Sequence, residues 1–173
     1  MAQAVIDRPR PPAAAPYTSF SPRLAPSFIA TGGLLAIAGG LGLWVRVTSI
    51  DSAGIAHQTS SLAGTGTTTG WLVPALGAVA VAATFIRFPS SRWLHTAASA
   101  AAVILIALRL SDLSSLASGM AFRAGARAGT AFTAYHAGFG WGAWVMTLAL
   151  VALALGTIVT LLRWLDERKG LTS

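Results

Sequence analysis

The residues in this sequence best able to do chemistry are three histidines, His57, His95 and His136. Imidazole titrates near neutral pH and ligates haem iron or other metals. Together with Asp112, His57 and His136 could form a metal-binding or quinone-contacting cluster, provided that the elements carrying them meet. Haem held by two histidines would need a second histidine at the depth of His95, and none is expected there. The alternative is that all three only hydrogen-bond to backbone or water. No cofactor is identified by this pattern.

Other catalytic chemistry is sparse. The chain has no cysteine, which excludes disulfides, thiolate zinc sites, thiol catalysis and haem attached through Cys-x-x-Cys-His. No order of Ser, His and Asp, no phosphate loop and no paired carboxylates are found. Arg109 and Asp112 are three residues apart, so they would share one helical face. They are expected to form a pair that ends a helix at the membrane boundary, or alternatively a buried functional pair. The chain is therefore not expected to be an enzyme.

The elements that must position these groups are long apolar segments. The longest, 139–162, has 24 residues without a charge, and as a helix it would extend roughly 36 Å. The hydrocarbon core of a bilayer is about 30 Å thick. Three further apolar segments lie at about 25–45, 71–86 and 93–113. Only 10% of all residues are charged, against about 25% in soluble domains. The sequence predicts an all-α membrane protein with four transmembrane helices in an up-down bundle.

Charge predicts the orientation of these helices. Eight of the 12 Lys and Arg residues fall in or beside the two terminal segments and the middle turn, and the other four fall at the opposite ends of the spans, in the two remaining loops and near the end of the third span. Basic residues collect on the cytoplasmic side, so both termini are predicted to lie inside. The net charge of +7 has the same cause and does not indicate nucleic-acid binding.

Tryptophan positions agree with these spans, because indole rings favour the headgroup zone of a bilayer. Each of the six lies within about one turn of a predicted helix end. The predicted interfacial anchors are Trp44, Trp71, Trp141 and Trp144 outside, and Trp93 and Trp164 inside.

Small residues predict where helices pack closely. Gly32, Ala36 and Gly40 recur every four residues in the first span, a spacing that lets another helix approach. Gly138, Gly140 and Gly142 thin the start of the last span. Both groups are predicted packing contacts, within the chain or with a partner.

The remaining segments are expected to be irregular. Residues 1–24 are predicted to be a disordered, basic, proline-rich cytoplasmic tail, followed by a transmembrane domain at 25–165 and a charged cytoplasmic tail at 166–173. The Gly, Ser and Thr residues within 46–70 indicate a flexible outer loop. Residues 114–137 are predicted to form a second outer loop with a broken amphipathic helix.

Function is predicted only in outline. The first hypothesis is a non-catalytic accessory or assembly subunit of a larger bacterial membrane complex, respiratory or cell-envelope, in the plasma membrane. The alternatives are a small transport or lipid-handling protein that acts as an oligomer, and a redox subunit binding haem or quinone. The expected partners are membrane lipids and other membrane subunits or further copies of the chain, with no nucleic acid.

Overall fold

The computed structural model describes residues 23–67, 69–86, 91–128 and 134–170. The elements in chain order are α1 (Leu24–Leu41), β1 (Leu43–Ile50), β2 (Ala56–Ala63), α2 (Leu72–Phe85), α3 (Ser91–Ala128), β3 (Ala134–Phe139) and α4 (Trp141–Gly170), with a short 3₁₀ turn at Gly64–Gly66. Three helices, α1, α3 and α4, are long and apolar enough to cross a membrane. They indicate a membrane protein. Helix α2 has 14 residues and covers about 21 Å.

The expectation of an all-α fold is wrong in one respect, because the structure contains a small sheet. Its three strands are antiparallel in the order β2-β1-β3. In β1 the buried Val45 and Val47 alternate with the exposed Arg46 and the partly buried Thr48. This period of two is the pattern of a half-buried strand. Strand β1 lies where the end of the first span and the beginning of a flexible loop were predicted.

Several helix boundaries differ from those predicted. Helix α1 ends at Leu41, since Gly42 is already extended, and β2 occupies the middle of the predicted flexible loop. Helix α3 is not broken within 114–128 but continues to Ala128, well beyond the predicted end of the third span. Its C-terminal half is stabilised by packing against the sheet through an apolar stripe at helical spacing: Leu113, Ala117, Met120 and Ala124.

Helix α1 packs between α2 and α4, and glycines set the distance on both sides. Toward α4, Gly32 lies beside Leu153 and Gly39 beside Met146. Toward α2, Gly33 lies beside Val81 and Gly40 beside Pro74, with the fully buried Ala36 against Gly77. The partner residue numbers fall as those of α1 rise, so both neighbours run antiparallel to α1. Backbones can approach this closely because the small residues have little or no side chain.

Helices α3 and α4 meet at the end remote from the sheet. The rings of Trp93 and Trp164 contact edge to face with centroids 5.7 Å apart. The guanidinium of Arg168 lies 3.8 Å from the centroid of Trp164. Further along the interface, the hydroxyls of Ser99 and Thr157 are 2.9 Å apart and share a hydrogen bond. The two tryptophans predicted for the inner boundary therefore lie at one level in the fold.

The predicted N-terminal tail falls largely outside the described residues, and the predicted C-terminal tail falls outside them only at residues 171–173. Of the N-terminal tail predicted at 1–24, the structure describes Arg23 and Leu24, where α1 begins. Of the C-terminal tail predicted at 166–173, residues 166–170 belong to α4.

Candidate functional site: the sheet and its junction with the helices

The sheet is joined to the helix ends through a set of glycines that we call the glycine junction: Gly39, Gly40, Gly42, Gly64, Gly140 and Gly142. A Cβ atom on Gly142 would lie 2.7 Å from the carbonyl carbon of Gly42, and one on Gly42 would lie 2.8 Å from the Cα of Gly142. A Cβ on Gly64 would strike the carbonyl oxygen of Gly40, and one on Gly140 that of Leu43. Main chain thus rests directly on main chain where α1, β1 and α4 meet.

Trp44 fills the centre of the glycine junction. Its side chain is 0% exposed, and its indole N–H donates to the carbonyl oxygen of Gly39 at 2.9 Å. The carbonyl of Trp44 accepts from the amide of Gly140 at 2.8 Å, and the carbonyl of Gly42 accepts from Gly64 at 3.0 Å. Trp44 therefore lies inside the protein, whereas Trp71, Trp93, Trp141 and Trp144 are each more than half exposed.

The two faces of the sheet differ in their surroundings. Residues paired directly across an antiparallel ladder share a face. Val47 pairs with Ala137 and Ser49 with Tyr135 on the face covered by α3, where Tyr135 also lies against Gly125. The opposite face, which we call the open face, presents exposed residues from all three strands: Arg46, Gln58, Ser61, His136 and Gly138. It is polar and carries one permanent positive charge, that of Arg46.

The turn between β1 and β2 is organised by one carboxylate. Asp51 Oδ1 accepts hydrogen bonds from the amides of Ala53 at 2.9 Å and Ile55 at 2.8 Å. Asp51 Oδ2 lies 3.0 Å from His57 Nε2. Gly54 supplies the positive φ, +78°, that the turn requires. The amide of Ile55 and then the imidazole of His57 stabilise the anionic form, so the pKa of Asp51 is lowered from its usual value.

This turn predicts a local acid transition. A carboxyl whose pKa is lower in the folded state stabilises that state fully above its usual pKa, about 3.9, and the stabilisation is lost as pH falls through the lowered pKa. We expect the amide resonances of Ala53 and Ile55 to shift below about pH 4, as NMR in detergent would detect. Asp51→Asn keeps an oxygen acceptor but cannot titrate, so the shift should disappear, while the control Asp112→Asn retains it. A transition that persists in Asp51→Asn would contradict this role.

The structure does not bring the three candidate histidines together. His95 lies on α3 two residues from Trp93, at the end remote from the sheet. His57 pairs with Ser49 and His136 with Thr48, on opposite sides of the central strand. Because neighbouring strand residues point to opposite faces, the side chains of His57 and His136 lie on different faces. Within the described ranges, no group of three His, Cys, Asp or Glu residues is placed to hold a metal ion.

The other candidate residues are distributed unevenly. Gly140 and Gly142 belong to the glycine junction, whereas the position that a Cβ would occupy on Gly138 faces open space. Arg109 is partly buried and Asp112 exposed on α3. No ion pair joins Arg109 to Asp112.

Sequence reasoning missed Trp44 as a core residue, although its place between two apolar residues of a β-branched segment indicated a strand.

Comparison with family models, curated proteins and solved structures found no match to this chain. The fold and site themselves define a coarse class. The chain is a mostly helical membrane protein in which a small sheet is fixed to the ends of apolar helices.

Proposed function

We propose that the chain is a non-catalytic accessory or assembly subunit of a larger complex, respiratory or cell-envelope, in a bacterial plasma membrane. In this proposal the four helices cross the bilayer in up-down order with both termini inside, and the sheet lies outside. A partner subunit binds the sheet. The single observation that carries the proposal is the glycine junction, because its backbone contacts hold the sheet in a fixed position on the helices.

The shape of the sheet supports a protein partner. Each outer strand, β2 and β3, has one neighbour within the described sheet. Edge strands offer main-chain donors and acceptors that another chain can use. The open face adds exposed polar side chains and the charge of Arg46. A rigid polar surface of this kind is suited to recognition, since little conformational entropy is lost when it binds.

The short helix α2 is compatible with four crossings. Pro74 lies beside Gly40 near the sheet, and Val81 lies beside Gly33 deeper along α1. Helix α2 therefore returns along α1 toward the end where Trp93 and Trp164 meet. A short apolar helix can be accommodated by local thinning of the bilayer or by neighbouring helices at modest cost.

Native purification with two matched charge reversals tests the proposal. In mild detergent, the unaltered chain should co-purify with a defined membrane partner at constant stoichiometry. Arg46→Glu, on the open face, should weaken the affinity for that partner at least about tenfold, which corresponds to 1.4 kcal/mol. Arg123→Glu makes the same charge change at an exposed position of α3 and should retain the partner. A chain that purifies without partners, or equal retention by both variants, would refute the proposal.

A further inference from the structure

Strand β3 forms the more regular edge of the sheet. Its residues pair with β1 without interruption, from Phe139 opposite Val45 to Ala134 opposite Ile50. The pairing of β1 with β2 shifts register twice, and such irregularities hinder the addition of another strand. Strand β3 contains neither proline nor Asp, Glu, Lys or Arg, the residues that commonly protect a strand edge. Of the two edges, β3 is therefore the better template for a further strand.

The main-chain groups of β3 alternate between its two sides. The amide of Gly140 donates to the carbonyl of Trp44, which makes these two residues a hydrogen-bonded pair that continues the ladder. Such pairs recur at every second position of an antiparallel ladder, so the main chain of Gly138 is also bonded to β1. The N–H and C=O groups of Ala137 and Phe139 therefore point away from β1, toward the edge of the sheet.

Gly138 leaves a gap beside Arg46 on the open face. The two residues pair directly, and a Cβ on Gly138 would have nothing within 4 Å. Arg46 is exposed, and among the described residues its guanidinium has no ion pair or hydrogen bond. Neighbouring strands lie about 4.8 Å apart, so a residue of an added strand next to Gly138 would be about 10 Å from Arg46. A long arginine side chain and an acidic side chain can meet across a glycine at that distance.

The sheet has no carboxylate of its own for Arg46. Its three strands contain neither Asp nor Glu. Asp51 is bound within the β1–β2 turn, and Asp112 lies on α3. Asp166 and Glu167 lie near the end of α4, away from the sheet. A strand from a second copy of this chain would therefore bring no carboxylate to Arg46, whereas a different subunit can supply one. Guanidinium and carboxylate groups form paired, charge-assisted hydrogen bonds.

We propose that the partner subunit adds one strand to the β3 edge and places a carboxylate next to Gly138, where it pairs with Arg46. This proposal rests on the proposed accessory function, since it specifies how that partner binds. Main-chain hydrogen bonds to Ala137 and Phe139 supply affinity. The ion pair fixes the register of the added strand, because a shift by one residue would move the carboxylate to the other face.

Hydrogen–deuterium exchange tests the edge, with the complex purified in mild detergent compared with the chain freed of its partner. The amides of Ala137 and Phe139 should exchange at least about tenfold more slowly in the complex. The amides of β2 should exchange equally in both. Protection of β2 instead of β3 would overturn the proposal.

Two matched glycine substitutions test the gap beside Arg46. Gly138→Val fills it and should weaken the affinity for the partner at least about tenfold. Its unfolding temperature should not fall, because a side chain at this position meets no other atom. Gly119→Val makes the same change on α3, where a Cβ also has nothing within 4 Å, and should retain the partner. Equal retention by both variants would overturn the proposal.

Carbodiimide coupling tests the carboxylate. Arg46→Lys keeps the positive charge and introduces an amine, which the reagent joins to a carboxylate in contact with it. We expect a covalent adduct with an Asp or Glu residue of the partner, and no such adduct from Arg123→Lys. The proposal is overturned if Arg46→Lys gives no adduct, or one with a second copy of this chain. Release of the partner by Arg46→Glu would still support the accessory function in that case, whereas the lack of any co-purifying partner would refute both.

Discussion

Gly140→Ala is expected to destabilise the protein by at least about 3 kcal/mol, the upper end of the usual cost of overpacking. The added Cβ would strike the carbonyl oxygen of Leu43 and lie 2.7 Å from its carbonyl carbon. These are backbone atoms of a paired strand, so they cannot move aside as a flexible side chain would. The amide of Gly140 would also be displaced from its hydrogen bond to Trp44. Thermal unfolding in detergent, followed by circular dichroism, measures the loss.

Gly138→Ala is the matched control, because Gly138 lies in β3 only two residues before Gly140. A Cβ there has nothing within 4 Å. Alanine loses less conformational entropy on folding than glycine, so this variant should be unchanged or more stable by roughly 0.5–1 kcal/mol. The two variants change the chain by one methyl group each and should move the unfolding temperature in opposite directions. Equal effects of both would show that the glycine junction does not hold the sheet.

Trp44→Ala is expected to cost about 3–5 kcal/mol, the range for removing a large aromatic side chain from a core. Trp44 is 0% exposed, and the carbonyl of Gly39 would lose the donor that its indole supplies at 2.9 Å. Trp44→Phe retains most of the packing but not the N–H, so its stability should lie between that of Trp44→Ala and that of the unaltered chain. Thermal unfolding in detergent again provides the measurement.

Trp71→Ala is the control for the loss of an indole ring. Trp71 is 60% exposed next to the first residue of α2, and its removal should change the unfolding temperature little. If Trp71→Ala and Trp44→Ala were equally destabilised, Trp44 would not be the centre of the junction. If Trp44→Ala were as stable as the unaltered chain, the buried indole would contribute nothing to joining the sheet and the helices.

The apolar helices were predictable from sequence because a bilayer imposes length and composition on each crossing segment. The 24 uncharged residues at 139–162 overlap α4 almost completely. These features depend on local sequence, and each can be interpreted without knowledge of the rest of the chain.

The sheet was harder to predict because its pairing is not local. Strand β1 pairs with β3 across more than 80 residues, with Val45 opposite Phe139, and no short window of sequence contains both partners. The alternation of Val45 and Val47 with polar residues was nevertheless visible. So was the stripe from Leu113 to Ala124 that extends α3 along the sheet. Both signals were weaker than the density of Gly, Ser and Thr that indicated loops.

The candidate site could be predicted only in part. Gly140 and Gly142 were identified as packing residues, but their contacts with Leu43 and Gly42 depend on the register of the sheet. The same register separates His57 from His136 by placing their partners, Ser49 and Thr48, on opposite faces of β1. A sequence shows which residues could ligate a group. Only the pairing of the strands shows whether their side chains meet.

Cysteine accessibility tests the central claim most directly, since the chain has no cysteine of its own. The claim is that the sheet lies on the outer side of the membrane, and that the C-terminal part of α4, at the opposite end of the helices, lies on the inner side. Single substitutions Ser52→Cys, in the β1–β2 turn, and Glu167→Cys, in α4, place one thiol at each end. A membrane-impermeant maleimide should label Ser52→Cys in intact cells and Glu167→Cys only after the membrane is opened. Labelling of both from the same side, or no labelling of Ser52→Cys from either side, would contradict the claim.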